Sequence, residues 1–316
     1  MTKNKTKMSL AEFMNGELIP LVDVVTFCNS LPMSLYADTT GVKSPEVVFR
    51  GMATSRNRLV AEEYLLNFKR SEADLGVLIG TNNYKMPVAA TAVAVRDLEE
   101  REEDLIALPQ PRNERAALGA VIRSRRSRRS YSGGAVALGD LSTILAHAGG
   151  ITSHAPLDGA PETVTLGDDL HLDLRAAASG GALYPLDLCI VALNVDKLPA
   201  GVYRYLPKQH ALKPAGDGGD LDLARLGQFG EIEVRKAALL VVYVYNLFEN
   251  ARKYGETALA FALIEAGAMA AHVHLLCTAL GLGSCDVGGF SKKRLDRAVG
   301  ADGLTRHAIH LTVVGK

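Results

Sequence analysis

The sequence carries no excess of charge of either sign: 35 Lys and Arg side chains stand against 35 Asp and Glu among 316 residues. That balance gives no general reason to expect a nucleic-acid or membrane-surface partner. Cysteine is scarce and scattered, at Cys28, Cys189, Cys277 and Cys285. Four such residues exclude a disulfide framework, and with no C-x-x-C pair a structural zinc site is not expected either. The glycines form no G-x-G-x-x-G and no P-loop, so neither a Rossmann dinucleotide site nor a nucleoside-triphosphate site is supported. Repeats and low-complexity tracts are missing as well. The lysine-bearing start, MTKNKTKMSLAEF, is not followed by an uninterrupted apolar stretch, because Glu12, Glu17 and Asp23 break it, which argues against a signal peptide. One apolar segment, Thr257 to Gly283, approaches the length needed to cross about 30 Å of hydrocarbon. Glu265, His272 and His274 lie within it, and ionisable groups are expensive at membrane depth, so it reads as a buried helix packed on all sides by protein. A cytoplasmic protein is expected.

With 48% hydrophobic and 22% charged residues, the chain can build one large core or two smaller ones. A helix-like apolar stripe at Leu59, Tyr64, Leu65 and Phe68 and an alternating run from Pro87 to Leu98 give the front a mixed α/β character. The charged stretch RDLEEREED then meets LPQPR, placing a candidate linker near residues 99–112. This divides the chain into an extension, 1–110, and a domain, 111–316.

Within that domain, ERAALGAVIRS and LGDLSTILAHA read as helices, the second ending at Gly149-Gly150. ETVTLGDDLHLDL alternates around a Gly-Asp-Asp turn as a hairpin does. LDLCIVALNV and AALLVVYVYN are continuously apolar, which suits strands covered on both faces, and GVYRYLP and HAIHLTVVG supply two more. Strands and helices mix without a steady βαβ rhythm, so the fold class is α+β.

Four motifs stand out. RSRRSRRSY, Arg123 to Tyr131, is the densest basic cluster; it reads as a solvated face, with a phosphate-bearing cofactor as the sharper alternative because guanidinium forks suit phosphate oxygens. In ASGGALYPLD, Gly180-Gly181 permits close approach of a ligand or simply a tight turn, and Tyr184-Pro185 predicts an extended exit into the next strand. Lys253-Tyr254-Gly255 precedes the long apolar helix, and a glycine-rich stretch, LGLGSCDVGGF, follows it as an expected loop before a final helix in SKKRLDRAVG. His272 reads as a satisfied helix histidine. The pairs His272/His274 and His307/His310 show no carboxylate at ligand spacing, so no metal is expected.

The order RRSRRSY, SGGALYP, KYG before a helix with EAG, and GLG-x-C-x-x-GGF resembles the nitroreductase-like flavoprotein superfamily, and within it the SagB/McbC-type azoline dehydrogenases. The resemblance covers roughly residues 115–316; AEEYLLNFKRS, farther forward, is similar to a helix that often precedes the domain in this subgroup. It implies an FMN-binding α+β fold with a central, mostly antiparallel sheet flanked by helices in an intertwined homodimer. It places Arg125, Arg126, Ser127, Arg129, Ser179, Gly180, Gly181, Gly288 and Gly289 around FMN, and makes Lys253 and Tyr254 the catalytic pair. The implied chemistry is oxidation of thiazoline or oxazoline rings in a ribosomally made peptide to azoles. Lys253 would take the ring proton, with Tyr254 relaying it or orienting the ring. The implied partners are the heterocyclised precursor peptide and the cyclodehydratase complex that makes it. A general NAD(P)H-dependent nitro or quinone reductase and a non-catalytic flavin-fold scaffold are the alternatives. Relatives often continue KYG with R-G-Y-R and carry a later G-H-x-x-Q-N; here Thr257 and Ala260 replace the two arginines, and Ala268, Ala271 and His272 follow Gly267.

Overall fold

The structure is a computed structural model that describes Tyr64 and residues 105–156, 171–215, 222–227 and 229–316. The stripe near Tyr64 and the run from Pro87 to Leu98 otherwise lie outside the described residues, as does the Gly-Asp-Asp turn.

Nine strands and six α-helices are described: β1 (Ile106–Ala107), α1 (Leu118–Ser124), α2 (Leu138–Gly149), β2 (Ile151–Pro156), β3 (His171–Arg175), β4 (Leu186–Ala192), β5 (Gly201–Leu206), β6 (Ala211–Pro214), α3 (Leu223–Leu226), β7 (Leu239–Asn246), α4 (Leu247–Tyr254), α5 (Thr257–Ala279), β8 (Gly283–Asp286), α6 (Lys292–Ala298) and β9 (Arg306–Gly315). Seven strands form one sheet in the order β1-β6-β5-β4-β7-β9-β8, with antiparallel pairings throughout. The α+β expectation is met.

Strand periodicity explains the two cores. On β4 and β7, Leu186, Leu188, Ile190, Leu239, Val241, Tyr243 and Tyr245 face one layer, with Leu141, Ile144 and Leu145 of α2 and Ala262, Ala266, Met269 and Val273 of α5. The alternate residues, Cys189, Val191, Leu240, Val242 and Val244, pack in the other with Leu311 and Val313 of β9 and Leu295 of α6. Both faces are dry, so these strands show no polar alternation.

Two expectations give way, at the linker and at α5. The described part of the linker is built into the sheet: β1 pairs with β6, and Leu108 is buried in the first core. His171–Arg175 pairs with Ile151–Pro156, while ETVTL, the other arm of the expected hairpin, lies outside the described residues. The helix α5 is long and apolar enough to span a membrane by length and composition, yet it is not packed on all sides. Ala262, Ala266, Met269 and Val273 are buried, whereas Leu259, Leu263 and Ile264 are exposed, Ile264 at 69%. These fall on one stripe by helical spacing.

The corner between α4 and α5 is held by a buried amide. Tyr245 Oη donates to Asn250 Oδ1 at 2.8 Å, and Asn250 Nδ2 donates to the Ala258 carbonyl at 2.9 Å. Replacing Asn250 with Ala orphans both groups and is expected to cost about 3 kcal/mol. Urea unfolding measures it: the midpoint falls with an unchanged m-value.

Candidate active site

Five residues before β4, the chain makes a turn that only a side-chain-free position admits. Gly181 has φ +64°, and a Cβ there would lie 2.4 Å from both Lys253 Nζ and Tyr254 Oη. One at Gly180 would meet the Phe261 ring at 3.2 Å. Ser179 braces the turn: its Oγ accepts from the Tyr184 amide at 2.9 Å and its carbonyl from the Ala182 amide at 3.1 Å. The extended exit expected at Tyr184-Pro185 is absent. Ala182 (φ +54°) and Tyr184 (φ +46°) adopt left-handed backbone, a strained state for such residues. Tyr184 is kept there by its bond to Ser179 Oγ and by the Arg175 amide, which donates to its phenol at 2.9 Å.

Lys253 and Tyr254 reach this turn because β7 ends beside the start of β4, in register Leu186↔Tyr245, and α4 follows β7 directly. Gly255 (φ +52°) turns the chain into α5, and Thr257 Oγ1 donates to the Tyr254 carbonyl at 2.7 Å. Thr257 thus closes the end of α4. The Tyr254 ring stands edge-on to Phe261, with centroids 4.9 Å apart. Sequence reasoning missed Phe261, although it is the sole aromatic residue between Thr257 and Ala279. Tyr64 also lies here: burial raises its phenol pKa, the Ala260 backbone opposes that, and the Glu256 charge adds to it. Tyr64 therefore touches the start of α5.

The arginine segment lies along the outer edge of β8. Ser127 bridges Ser284 in parallel, and the Arg128 amide donates to the Ser284 carbonyl at 3.0 Å. Tyr131 anchors it, buried against Gly315, with its phenol donating to the Arg128 carbonyl at 2.9 Å. Arg125 is half-buried, while Arg123, Arg126, Arg128 and Arg129 are exposed. Arg126 turns back, its Nη1 donating to the Arg123 and Arg125 carbonyls, so part of its fork is spent closing α1. Arg129 acts on the buried Cys285, whose thiol pKa is raised by burial, lowered by Arg129 and raised by Asp286.

The stretch expected as a loop contains β8, so Ser284 and Asp286 share one strand face. Nothing lies within 4 Å of where a Gly288 Cβ would sit, and the Gly289 carbonyl comes within 3.0 Å of a Cβ placed on Gly227. His272 is satisfied as expected, bonding the His147 carbonyl at 2.9 Å. The absence of carboxylate support for His274 and His310 is corrected: Asp286 bonds both.

The chain thus gathers the predicted residues into two groups. Ser179, Gly180 and Gly181 meet Lys253 and Tyr254 near the start of α5; Arg125, Arg126, Ser127 and Arg129 accompany β8, which leads to Gly288 and Gly289 and packs on α5 at His274. Phe261 and His274 mark the two groups along α5, about 20 Å apart at the helical rise. Guanidinium groups suit a phosphate, and side-chain-free backbone suits close approach of a planar ring, so these residues fit a flavin mononucleotide.

The family model described as nitroreductase family matches residues 122–316. A protein of Methanocaldococcus jannaschii named "Putative nitroreductase MJ1384" is 30% identical over 190 residues, covering 59% of this chain and 86% of that protein. The crystal structure of a "putative nitroreductase" from Ralstonia eutropha JMP134 superposes with TM-score 0.52 at 24% identity, covering 69% of this chain and 91% of the other. The Escherichia coli microcin synthetase McbBCD complex with truncated pro-MccB17 bound gives TM-score 0.47 at 19% identity, covering 88% and 96%; a likeness that distant says nothing about substrate or partners.

Gly181→Ala is expected to displace Lys253 and Tyr254 while leaving the sheet intact. Its cost, about 1–2 kcal/mol from the left-handed backbone alone, is read by urea unfolding. A changed rate of Lys253 modification by an amine reagent, mapped by mass spectrometry, reports the displacement.

Proposed function

The chain belongs to the nitroreductase family of flavin oxidoreductases, and from that premise we propose that it is an FMN-dependent azoline dehydrogenase, oxidising thiazoline or oxazoline rings in a ribosomally made peptide in the cytoplasm. The observation that carries this reading is the contact of Lys253 Nζ and Tyr254 Oη with the side-chain-free turn at Gly181. A simple hydride acceptor needs no adjacent amine and phenol, whereas aromatising an azoline requires removal of a proton from the former α-carbon. FMN, when bound, supplies the two-electron acceptor for the hydrogen leaving the neighbouring carbon.

The chain's own residues do the rest. Lys253 Nζ takes the α-carbon proton. Tyr254 Oη, beside it at the turn and set edge-on against Phe261, orients the ring and passes the proton outward. Arg125, Arg129 and the Ser127 segment hold the phosphate; Gly180, Gly181, Gly288 and Gly289 leave room for the ring. The residues ahead of β1 form the extension that receives the precursor peptide or the cyclodehydratase; Tyr64, beside the start of α5, favours that assignment.

The working form is a homodimer, with the two groups brought together from different copies. The exposed stripe Leu259, Leu263 and Ile264 supports this, as do Leu118 and Ile122 of α1, which packs on α5 and is itself exposed at those residues. Burying each such side chain is worth about 1.5–3 kcal/mol.

Two experiments test the reading. Lys253→Ala should retain bound flavin, seen in its visible spectrum, yet fail to remove two hydrogens per ring from an azoline peptide in a mass assay. Flavin-bound K253A that aromatises at the wild-type rate contradicts the role, and rapid NADPH consumption with nitroaromatics favours a general reductase instead. Ile264→Glu is expected to yield monomers by light scattering together with lost flavin occupancy; a stable, flavin-bearing dimer contradicts the shared site.

A further inference from the structure

Asp286 closes β8, two residues before Gly288, and its carboxylate is the meeting point of three elements. Thr312 Oγ1 donates to Oδ1 at 2.6 Å, and His310 Nε2 bonds the same oxygen at 3.2 Å; both belong to β9. His274 Nε2, from α5, bonds Oδ2 at 2.9 Å. Burial pushes the carboxyl pKa up, but hydrogen bonds from His274, His310 and Thr312 outweigh it and hold the group well below the usual carboxylate range. Asp286 is therefore an anion at neutral pH.

The network extends in both directions. Thr312 donates to Asp286 and so accepts from Tyr243 Oη, 3.2 Å away. His274 donates through Nε2 and is hydrogen-bonded through Nδ1 to Ser284 Oγ at 2.6 Å. Ser284 is 2% exposed, so this Ser–His–Asp order is support rather than a nucleophile out of substrate's reach. The Ser284 carbonyl receives the Arg128 amide, and Ser127 bridges the same residue. On the other side, the Val287 amide bonds the Leu311 carbonyl and the chain passes into Gly288.

A four-residue edge strand thus carries the arginine segment on its outer side and the glycine pair at its end, and a single carboxylate locks it to β9 and α5. We propose that Asp286 is a positioning residue of the flavin site, holding the arginine segment and Gly288–Gly289 in one frame through His274, His310 and Thr312. This inference rests on the flavin reading above and assigns Asp286 no contact with the cofactor.

The test titrates the full-length wild type and variants with FMN, following flavin fluorescence and the visible spectrum. Asp286→Asn is expected to weaken FMN binding by about tenfold or more, taking as a guide the scale seen when a supporting carboxylate is removed from behind a metal ligand. At saturating FMN, its bound flavin should show a band displaced toward that of free FMN, a change that general destabilisation does not produce. The control is Asp296→Asn. Asp296, unlike Asp286, is buried, but it too is a carboxylate bound to β9, accepting the Ala308 amide at 2.7 Å, and it lies on α6 rather than on the strand beside the arginine segment. Its loss should lower the unfolding midpoint and leave FMN affinity unchanged. His310→Gln removes one of the three donors, should give an intermediate loss, and carries the test if D286N does not fold. Unchanged affinity and spectrum in D286N, or in H310Q standing in for it, overturn the inference, as does an equal loss in D296N. A wild type that binds no FMN overturns the functional reading itself and this inference with it, whereas a flavin-binding wild type with indifferent Asp286 variants overturns the inference alone.

Discussion

At Gly181 the main chain passes so near Lys253 and Tyr254 that a single methyl group would lie 2.4 Å from both an amine and a phenol. A left-handed backbone and a missing side chain make this approach possible, and the surrounding strain at Ala182 and Tyr184 shows how firmly the turn is imposed. The strands deliver the partners. β4 begins where β7 ends, so the turn before one and the helix after the other meet at the same end of the sheet. Asn250 and Thr257 then secure the α4–α5 corner that carries the Lys-Tyr pair.

The second half of the site obeys a different constraint, because it is built at a sheet edge, where strands are held on one side only. Here the arginine segment supplies the missing neighbour, anchored by Tyr131, and Asp286 gathers bonds from β9 and α5. The long helix α5 runs past both halves: its buried face seals the core, and α1 packs on it, with Leu118 and Ile122 of α1 and Leu259, Leu263 and Ile264 of α5 left exposed. On the function proposed above, a second copy seated on this stripe would turn two half-sites separated along one helix into one cofactor site with Lys253 and Tyr254 beside it.

Much of this was legible from residue order. Continuous apolar runs marked β4 and β7 because both their faces are covered, and Gly149-Gly150 marked the end of α2. The Gly180-Gly181 and Lys253-Tyr254 motifs were visible one by one, yet nothing in their spacing says that they touch; the β4–β7 register decides that. Glycine content hid β8, since backbone freedom reads as a loop even where the sheet edge imposes a strand. With β8 unseen, Asp286 could not be recognised as the carboxylate serving His274 and His310, which come from α5 and β9. The pairing of β3 with β2 was equally out of reach, because alternation pointed to the nearer ETVTL segment and says nothing of a strand farther back.

The central claim is that guanidinium groups at the β8 edge and the bare turn at Gly181 together receive a flavin. Equilibrium dialysis of the purified full chain against FMN, with bound flavin counted from its visible absorbance, tests it most directly. The account predicts saturation at one flavin per chain, with every bound flavin on dimers. Retention of no FMN at concentrations far above those of a resident cofactor would contradict it.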